Sequence, residues 1–295
     1  MELNGVFIED EYAEAFPNWA CRVIITAINE KWAVNAATEA TGFATSAIGC
    51  PCEAGIERIL SAEETPDGRP GVAILIFTGG KKKLKEQVVE RLAECVLTSP
   101  TAAVFDGMPE AEERIDVKLH FFGDKFEHKV EVGGRKCWAI PPIMNGEYIG
   151  EEEFGIVKGI AGGNFFIMGE SVEAALESAE KAVEAIKTCP GSITSFPVVA
   201  SGSKVGSKAY KFMAATTNEK YCPTIRDQVE DSNVPPEDVA CIYEIVIDGV
   251  DEAAIKAATK AGVEAAVTVP GIKRITSGNF GGTLGPYKFS LSEIL

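Results

Sequence analysis

Histidine and paired cysteines are scarce in this chain of 295 residues. It has only two histidines, and its eight cysteines form no Cys-x-x-Cys pair. Zinc and iron–sulfur sites draw mainly on such residues, so the sequence offers no plausible ligand set for a metal. The cysteines lie mostly in apolar segments, where a reduced thiol acts as a small core residue. We therefore expect no metal site.

Basic charge and long apolar runs are also lacking. The chain has 28 Lys and Arg against 44 Asp and Glu, a net charge of -16 at pH 7. Nucleic acids and anionic membrane surfaces attract basic proteins, so we expect neither as a partner. No apolar run has the length of a membrane span, and the N-terminus does not resemble a signal peptide. We predict a cytoplasmic protein, long enough for two domains.

Alternating strand and helix patterns organise the chain into four strand–helix–strand units. Apolar residues three or four positions apart, such as Val172, Leu176 and Ala179, indicate helices. Pro-Gly or Ser-Pro pairs mark several helix ends. The predicted strand, helix and strand of the units are 22–27, 29–40 and 44–48; 72–77, 82–97 and 101–105; 163–168, 171–187 and 192–199; and 241–247, 251–267 and 273–278.

Two consecutive units combine into a βαββαβ arrangement, a sheet with helices on one face. We therefore predict an α+β protein of two ferredoxin-like lobes, residues 1–150 and 151–295. The first lobe gains strands near 115–140, namely a strand at 117–122 and a hairpin at 130–140 around Gly133-Gly134. A polar loop, 201–236, is a weaker boundary. A doubly wound parallel sheet is the alternative fold, since it also alternates strands and helices.

One carboxylate, Glu244, interrupts the apolar strand that lies between Pro235-Pro236 and Asp248-Gly249. Side chains alternate along a strand, so Ile242, Glu244 and Val246 share one face. Burial there disfavours the charged carboxylate and raises its pKa, which keeps an acid protonated near neutral pH. The alternative is a strand-edge Glu that pairs with a lysine or lies in water.

Because helices cover one face of each predicted lobe, the other apolar face needs a partner. We expect it to pack on the second lobe, another subunit or a bulky apolar ligand. An oligomer with clefts at its interfaces follows from this expectation.

Two glycine clusters, 159–168 and 277–285, each contain Gly-Asn-Phe. Glycines permit close backbone approach to a ligand, and Asn and Phe offer hydrogen bonds and a stacking face. Tight packing within a repeated unit is the alternative interpretation. Neither cluster has the spacing of a dinucleotide-binding loop. The candidate ligand contacts are Gly163, Asn164, Phe165, Asn279 and Phe280.

Two further segments are candidates for binding an anion. Lys204, Lys208 and Lys211 lie in loop 201–211, the most basic loop of this acidic chain, and suit a carboxylate or phosphate. Arg69 lies in the turn-rich segment 64–71. A solvated loop and a structural turn, respectively, are the alternatives. No Gly-x-Ser-x-Gly elbow is present, and Cys222 has no basic neighbour in sequence. This combination suits direct transfer between two bound substrates.

Seven blocks follow one another along nearly the whole chain: 13–16, 39–43, 64–71, 161–166, 200–204, 243–247 and 277–282. Together they resemble formylmethanofuran:tetrahydromethanopterin formyltransferases. Such a series is more specific than any single motif. Ser203 and Tyr243 lie in these blocks and are further candidate substrate contacts. The segment 194–199 looks shorter than the family's glycine-bearing loop, which would alter the cleft locally.

The resemblance implies an enzyme of one-carbon metabolism, including methanogenesis, that has no prosthetic group. Members of the family reversibly move a formyl group between methanofuran and N5 of tetrahydromethanopterin. Both compounds are coenzyme substrates. The family's enzymes form dimers and tetramers, with methanofuran in a cleft at the dimer interface. The family's key acid falls on Glu244, which we expect to stabilise the oxyanion in protonated form. A non-catalytic tandem ferredoxin-like metabolite-binding protein is the alternative.

Overall fold

The computed structural model describes residues 1–235 and 238–295. Pro236, expected to help bound the strand of Glu244, lies outside these residues. The chain divides into two compact units. Unit 1 comprises Met1–Pro17, Ile48–Cys50 and Ile160–Leu295, and unit 2 comprises Asn18–Ala47 and Pro51–Gly159. The units do not coincide with a division at residue 150, because the first 17 residues group with the C-terminal half.

The strands of the first half are β1 (Glu2–Leu3), β2 (Val6–Ile8), β3 (Tyr12–Thr26), β4 (Glu53–Leu60), β5 (Gly71–Thr78), β6 (Ala103–Asp106), β7 (Glu113–Asp116), β8 (His128–Val132), β9 (Arg135–Ile143) and β10 (Gly146–Gly150). Those of the second half are β11 (Glu153–Gly169), β12 (Ser192–Ile193), β13 (Ser203–Val205), β14 (Ala215–Thr217), β15 (Cys241–Gly249), β16 (Ile272–Thr276) and β17 (Tyr287–Ser290). The α-helices are α1 (Glu30–Thr41), α2 (Lys81–Arg91), α3 (Val172–Ile186), α4 (Glu252–Ala266) and α5 (Leu291–Ile294). Leu92–Val96 extends α2 as a π-helical turn.

Unit 1 has a sheet in the order β1-β2-β16-β11-β15-β12. β11 pairs antiparallel with both β15 and β16, and β15 pairs antiparallel with β12. The four strands of the βαββαβ segment therefore lie in the order fourth, first, third, second. This pairing contradicts the alternative of a doubly wound parallel sheet.

Helices α3 and α4 cover one face of the unit 1 sheet. Ser171 and Asp251 cap them, because each side chain accepts a hydrogen bond from the backbone N–H three residues later. Phe165 and Ile245 lie in the core between sheet and helices. Other members of this cluster are Ile167, Ile247, Ala179, Val183, Ile186, Ile255, Ala258 and Val263.

Unit 2 repeats the arrangement with the order β4-β5-β3-β6, again with antiparallel neighbours. β10, β9 and β8 continue the sheet beyond β6. The hairpin predicted around Gly133-Gly134 is confirmed. Both glycines have positive φ, 56° and 77°, which a tight hairpin turn favours.

Three strand predictions require correction. The predicted strand 44–48 is wrong, because the strand of that unit is β4, whose Glu57 makes a buried ion pair with Arg22. Residues 117–122 are not a strand; β7 precedes them and Leu119–Gly123 is a 3-10 helix. Of 192–199, only β12 and a bridge from Val199 to Glu244 are formed. In the described part of the chain no helix is both long and apolar enough to cross a membrane.

Candidate functional site

Glu244 lies on β15, on the sheet face that α3 and α4 leave uncovered. Ile245 and Ile247 point into the helix-covered core, so alternation turns Ile242, Glu244 and Val246 the other way. All three are half-buried. The backbone of Glu244 exchanges hydrogen bonds with Val199, 2.8 and 2.9 Å long. The predicted face is thus partly open and not sealed in the core.

The carboxyl of Glu244 has no hydrogen bond or ion pair with any residue that the structure describes. Burial raises its pKa from an ordinary 4.5 to about 7. The alternative of a lysine-paired strand-edge Glu therefore finds no lysine here. A carboxyl with this pKa is about half protonated at pH 7 and donates a hydrogen bond in its neutral form.

Aromatic and apolar side chains cover part of this face. Phe166 pairs directly with Glu244 across the sheet, and its ring centroid lies 4.5 Å from that of Tyr221. Burial raises the pKa of Tyr221, and the negative charges of Glu9, Glu11 and Glu244 raise it further. The face is thus a carboxyl beside two aromatic rings.

A cavity of about 380 Å³ lies beside Tyr221. This volume is within the range usual for small-molecule sites. Its wall is largely polar and includes two carboxylates, a guanidinium, a phenol and an amide. It is lined by Glu9, Glu11, Tyr221, Ser232, Asn233, Val234, Pro235 and Arg274.

Asn164 joins the two glycine clusters. Its Oδ1 accepts from the Gly278 N–H at 2.7 Å, and its Nδ2 donates to the Gly278 oxygen at 3.1 Å. A Cβ on Gly278 would lie 2.8 Å from the ring of Phe166. Gly278 therefore packs directly against the ring of Phe166, the cross-strand neighbour of Glu244. A side chain at position 278 would prevent this contact.

Three predicted substrate contacts lie on the helix-covered side of the sheet, away from Glu244. A Cβ on Gly163 would lie 2.9 Å from Ile255 Cγ2, so close packing explains this glycine. Phe165 is fully buried in the core. Tyr243 packs against the same core cluster. The structure does not bring these three residues together with Glu244.

Asn279 and Phe280 belong to a loop that winds around Glu14, a residue that sequence reasoning missed. Asn279 Nδ2 donates to Glu11 Oε2 at 2.9 Å, and the rings of Phe280 and Phe16 are 6.3 Å apart. Glu14 itself accepts four backbone hydrogen bonds and is 1 % exposed. The signal for Glu14 was available, since it is a carboxylate between alanines in a strand, as anomalous as Glu244.

The basic loop forms part of the hairpin β13–β14, and two of its three lysines pair with a carboxylate that follows β14. Lys204 and Lys208 both contact the carboxylate of Glu219. Burial lowers the pKa of Lys204, and Lys208 and Lys220 lower it further. Ser203 is exposed on β13. An anion bound here would compete with Glu219 for the two ammonium groups.

Arg69 belongs to unit 2 and holds a turn. Its guanidinium pairs with Asp67 at 2.7 Å and donates to the Thr101 oxygen at 2.7 Å and to Thr26 Oγ1 at 3.0 Å. These contacts match the structural-turn alternative. Arg69 remains a substrate contact by prediction only. Across the described residues, no cluster of three or more His, Cys, Asp or Glu side chains forms a metal site.

The pH dependence of stability tests the environment of Glu244. Its folded pKa is above its ordinary value, so the native state binds more protons between pH 4.5 and 7. Stability is therefore expected to fall as pH rises through this window, by at most about 3 kcal/mol. Urea unfolding at several pH values measures it, with Glu244→Gln as the control that lacks the loss. The same pH dependence in both proteins would contradict the raised pKa.

Comparisons with known proteins agree along the whole chain. A family model described as formylmethanofuran-tetrahydromethanopterin formyltransferase matches residues 1–142, and a model of the proximal lobe of that family matches residues 146–294. The formylmethanofuran–tetrahydromethanopterin formyltransferases of Methanosarcina acetivorans and Methanocaldococcus jannaschii are each 58% identical. Each covers 100% of this chain, which covers 100% and 99% of their lengths.

Two solved structures are similar over the full chain. The formyltransferase of Methanosarcina barkeri has a TM-score of 0.97 and 56% identity, with 100% of both chains covered. A chain of the formyltransferase/hydrolase complex of Methylorubrum extorquens, solved with methylofuran, has a TM-score of 0.94 and 41% identity. That match covers 100% of this chain and 98% of the other. This chain therefore belongs to the formylmethanofuran–tetrahydromethanopterin formyltransferase family.

Proposed function

We propose that this chain transfers a formyl group reversibly from N-formylmethanofuran to N5 of tetrahydromethanopterin. Its relatives carry this activity in their names and match it from end to end. The observation that supports the chemistry best is the carboxyl of Glu244, half-buried, unpaired among the described residues and with a pKa of about 7. It lies on the sheet face that the helices leave open.

In the proposed mechanism both coenzymes bind together and N5 attacks the formyl carbon directly. A bond from N5 to carbon forms, and the carbonyl oxygen takes up negative charge. Protonated Glu244 donates a hydrogen bond to that oxygen. The bond from carbon to the methanofuran nitrogen then breaks, and the released amine keeps the electron pair and takes up the proton lost from N5.

Each part of this mechanism has a known order of magnitude. One preorganised donor to an oxyanion typically contributes about 10²- to 10³-fold in rate. Holding two substrates in contact contributes much of the rest, because a bimolecular step becomes effectively unimolecular. A neutral carboxylic acid acts as donor near neutral pH only in an apolar site, as it does in ketosteroid isomerase. The acid and the nucleophile come from the protein and a substrate, so the proposal needs no metal or prosthetic group.

The proposed architecture is two ferredoxin-like lobes, residues 1–150 and 151–295. The strand order in each unit supports the lobe type. The two family models meet between residues 142 and 146, which supports the boundary. A homodimer or homotetramer is part of the proposal, supported by the half-buried apolar side chains that flank Glu244. The cytoplasmic location stays a prediction from the sequence.

Of the predicted substrate contacts, we retain Asn164, which bonds Gly278 beside the Phe166 ring, and Asn279, which donates to Glu11 of the cavity wall. Phe280 is retained as the neighbour of Asn279 in the same loop. Ser203, Lys204 and Lys208 remain predictions. The alternative, a non-catalytic metabolite-binding protein, requires no uncharged acid and gains no support from Glu244.

A formyl-transfer assay with purified protein tests the function. We expect N5-formyltetrahydromethanopterin to form from N-formylmethanofuran, and the reverse reaction to proceed from the products. Adding a metal chelator is expected to leave the rate unchanged. The assay is run over a series of salt concentrations, because an acidic oligomer depends on ionic strength. No transfer at any salt concentration would overturn the proposal.

A further inference from the structure

Four backbone amides surround the buried carboxylate of Glu14 on β3. Its Oε2 accepts from the N–H groups of Phe280 and Gly282, at 2.8 and 2.9 Å. Its Oε1 accepts from those of Leu284 and Gly285, both at 2.5 Å. Successive amides that converge in this way form an anion-binding concavity, and here the anion belongs to the protein.

The charge of this carboxylate is maintained at neutral pH. Burial alone would raise the pKa of Glu14, but the four backbone hydrogen bonds outweigh it and lower the pKa below its ordinary value.

The geometry of the loop that supplies these amides also depends on glycine. Gly281 and Gly282 have φ of 73° and 70°, and a Cβ on Gly285 would lie 2.4 Å from the Ala15 oxygen.

The same loop reaches the proposed site at two points. Gly278 lies against the Phe166 ring and is held by Asn164, and its oxygen also accepts from the Glu14 N–H at 3.4 Å. Asn279 donates to Glu11, which lines the cavity beside Tyr221. A displacement of the loop therefore moves the surroundings of both Glu244 and the cavity.

We propose that Glu14 is a positioning residue, whose buried carboxylate shapes loop 278–285 so that Asn279 and Phe280 are held ready to bind a coenzyme substrate. The inference rests on the proposed function, since it takes the Glu244 face as the site of transfer. Glu14 is 1 % exposed, so it acts through the loop and does not touch substrate.

Glu14→Gln is the informative variant, because it keeps the shape and removes the charge. An amide has one acceptor oxygen, and its NH₂ group would face backbone donors. We expect KM for at least one coenzyme to rise tenfold or more, with kcat within about threefold of wild type. Activity in this variant should still decline as pH rises through about 7, because that decline is expected from the carboxyl of Glu244. Hydrogen exchange at the four loop amides should accelerate at least tenfold.

Asp106→Asn is the matched control. Asp106 is also fully buried and accepts from two backbone amides, Met108 N–H at 2.8 Å and Gly155 N–H at 3.0 Å, but it lies in unit 2. This variant should lose stability and keep both KM values. Glu14→Asp retains the charge and is the second variant, expected to give KM values between those of Gln and wild type.

The outcomes separate this inference from the proposed function. An inactive wild-type protein would contradict the proposed formyl transfer itself. An active wild type whose two KM values are unchanged in the soluble Glu14 variants, whatever their exchange rates or melting temperatures, would overturn the positioning role alone. A tenfold KM rise in Glu14→Gln without a matching rise in Asp106→Asn supports it.

Discussion

Replacing Glu244 by alanine is expected to lower kcat by about 10²- to 10³-fold, with little change in either KM. The alanine variant cannot donate to the carbonyl oxygen, and an interaction made mainly in the transition state affects kcat more than substrate binding. Steady-state kinetics with both coenzymes measure the effect. Folding should be intact, because Glu244 is half-buried and forms no ion pair with any described residue that its removal would break.

Glu244→Gln is expected to retain more activity than Glu244→Ala. Its amide still offers a hydrogen-bond donor of nearly the same shape, although a weaker acid than a carboxylic acid. The order wild type, Gln, Ala is therefore the expected order of kcat. Equal activity in all three proteins would exclude an acid role for Glu244.

The pH dependence of the wild-type reaction follows from the same carboxyl. Protonated Glu244 is the active form, and its pKa is about 7. Activity should be full below this value and fall about tenfold per pH unit above it. Glu244→Gln lacks this titrating carboxyl and should lack the decline. A decline that persists in Glu244→Gln would assign it to another group.

Phe165→Ala is expected to lower the free energy of unfolding by about 3–5 kcal/mol. Its ring is fully buried, and a Cβ on Gly262 of α4 would lie 3.0 Å from it. Phe165→Leu fills more of the space and should lose less stability while both KM values stay at wild type. This separates the core role of Phe165 from the substrate-binding role that its Gly-Asn-Phe motif predicted.

Phe280→Leu is the matched comparison in the second copy of the motif. Phe280 is half-buried in the loop around Glu14, so the substitution should alter stability little and raise a KM. Urea unfolding and steady-state kinetics on both leucine variants distinguish the two positions. A KM rise in Phe165→Leu with unchanged stability would contradict the core role and support Phe165 as a substrate contact.

Most helices follow from the sequence because apolar spacing is a local property of the chain. The predicted helices 171–187 and 251–267 correspond to α3 and α4 within a residue or two at each end. The sequence did not predict strand β4, because Glu53, Glu57 and Arg58 interrupt its apolar pattern. Glu57 is tolerated in the interior because its partner Arg22, distant in sequence, satisfies both of its oxygens. No local pattern reveals such a partner.

The two motifs with Gly-Asn-Phe show the same limit. One supplies packing for the core through Gly163 and Phe165. The other forms the loop around Glu14, in which Asn279 donates to Glu11 of the cavity wall. Their sequences are alike, but one copy runs through the central strand β11 and the other follows the end of β16. Only the surroundings of each copy distinguish packing from a loop available to a ligand.

The sequence by itself determined the helix pattern and the face of Glu244, since alternation along β15 depends only on neighbours in the chain. Tertiary structure alone decided what surrounds that face: the Tyr221 ring, the cavity beside it and the loop around Glu14. Glu14 and Gly285 are 271 residues apart in sequence and hydrogen-bonded in the fold. Burial raises the pKa of Glu244, and backbone hydrogen bonds lower the pKa of Glu14. Both effects arise from such distant contacts.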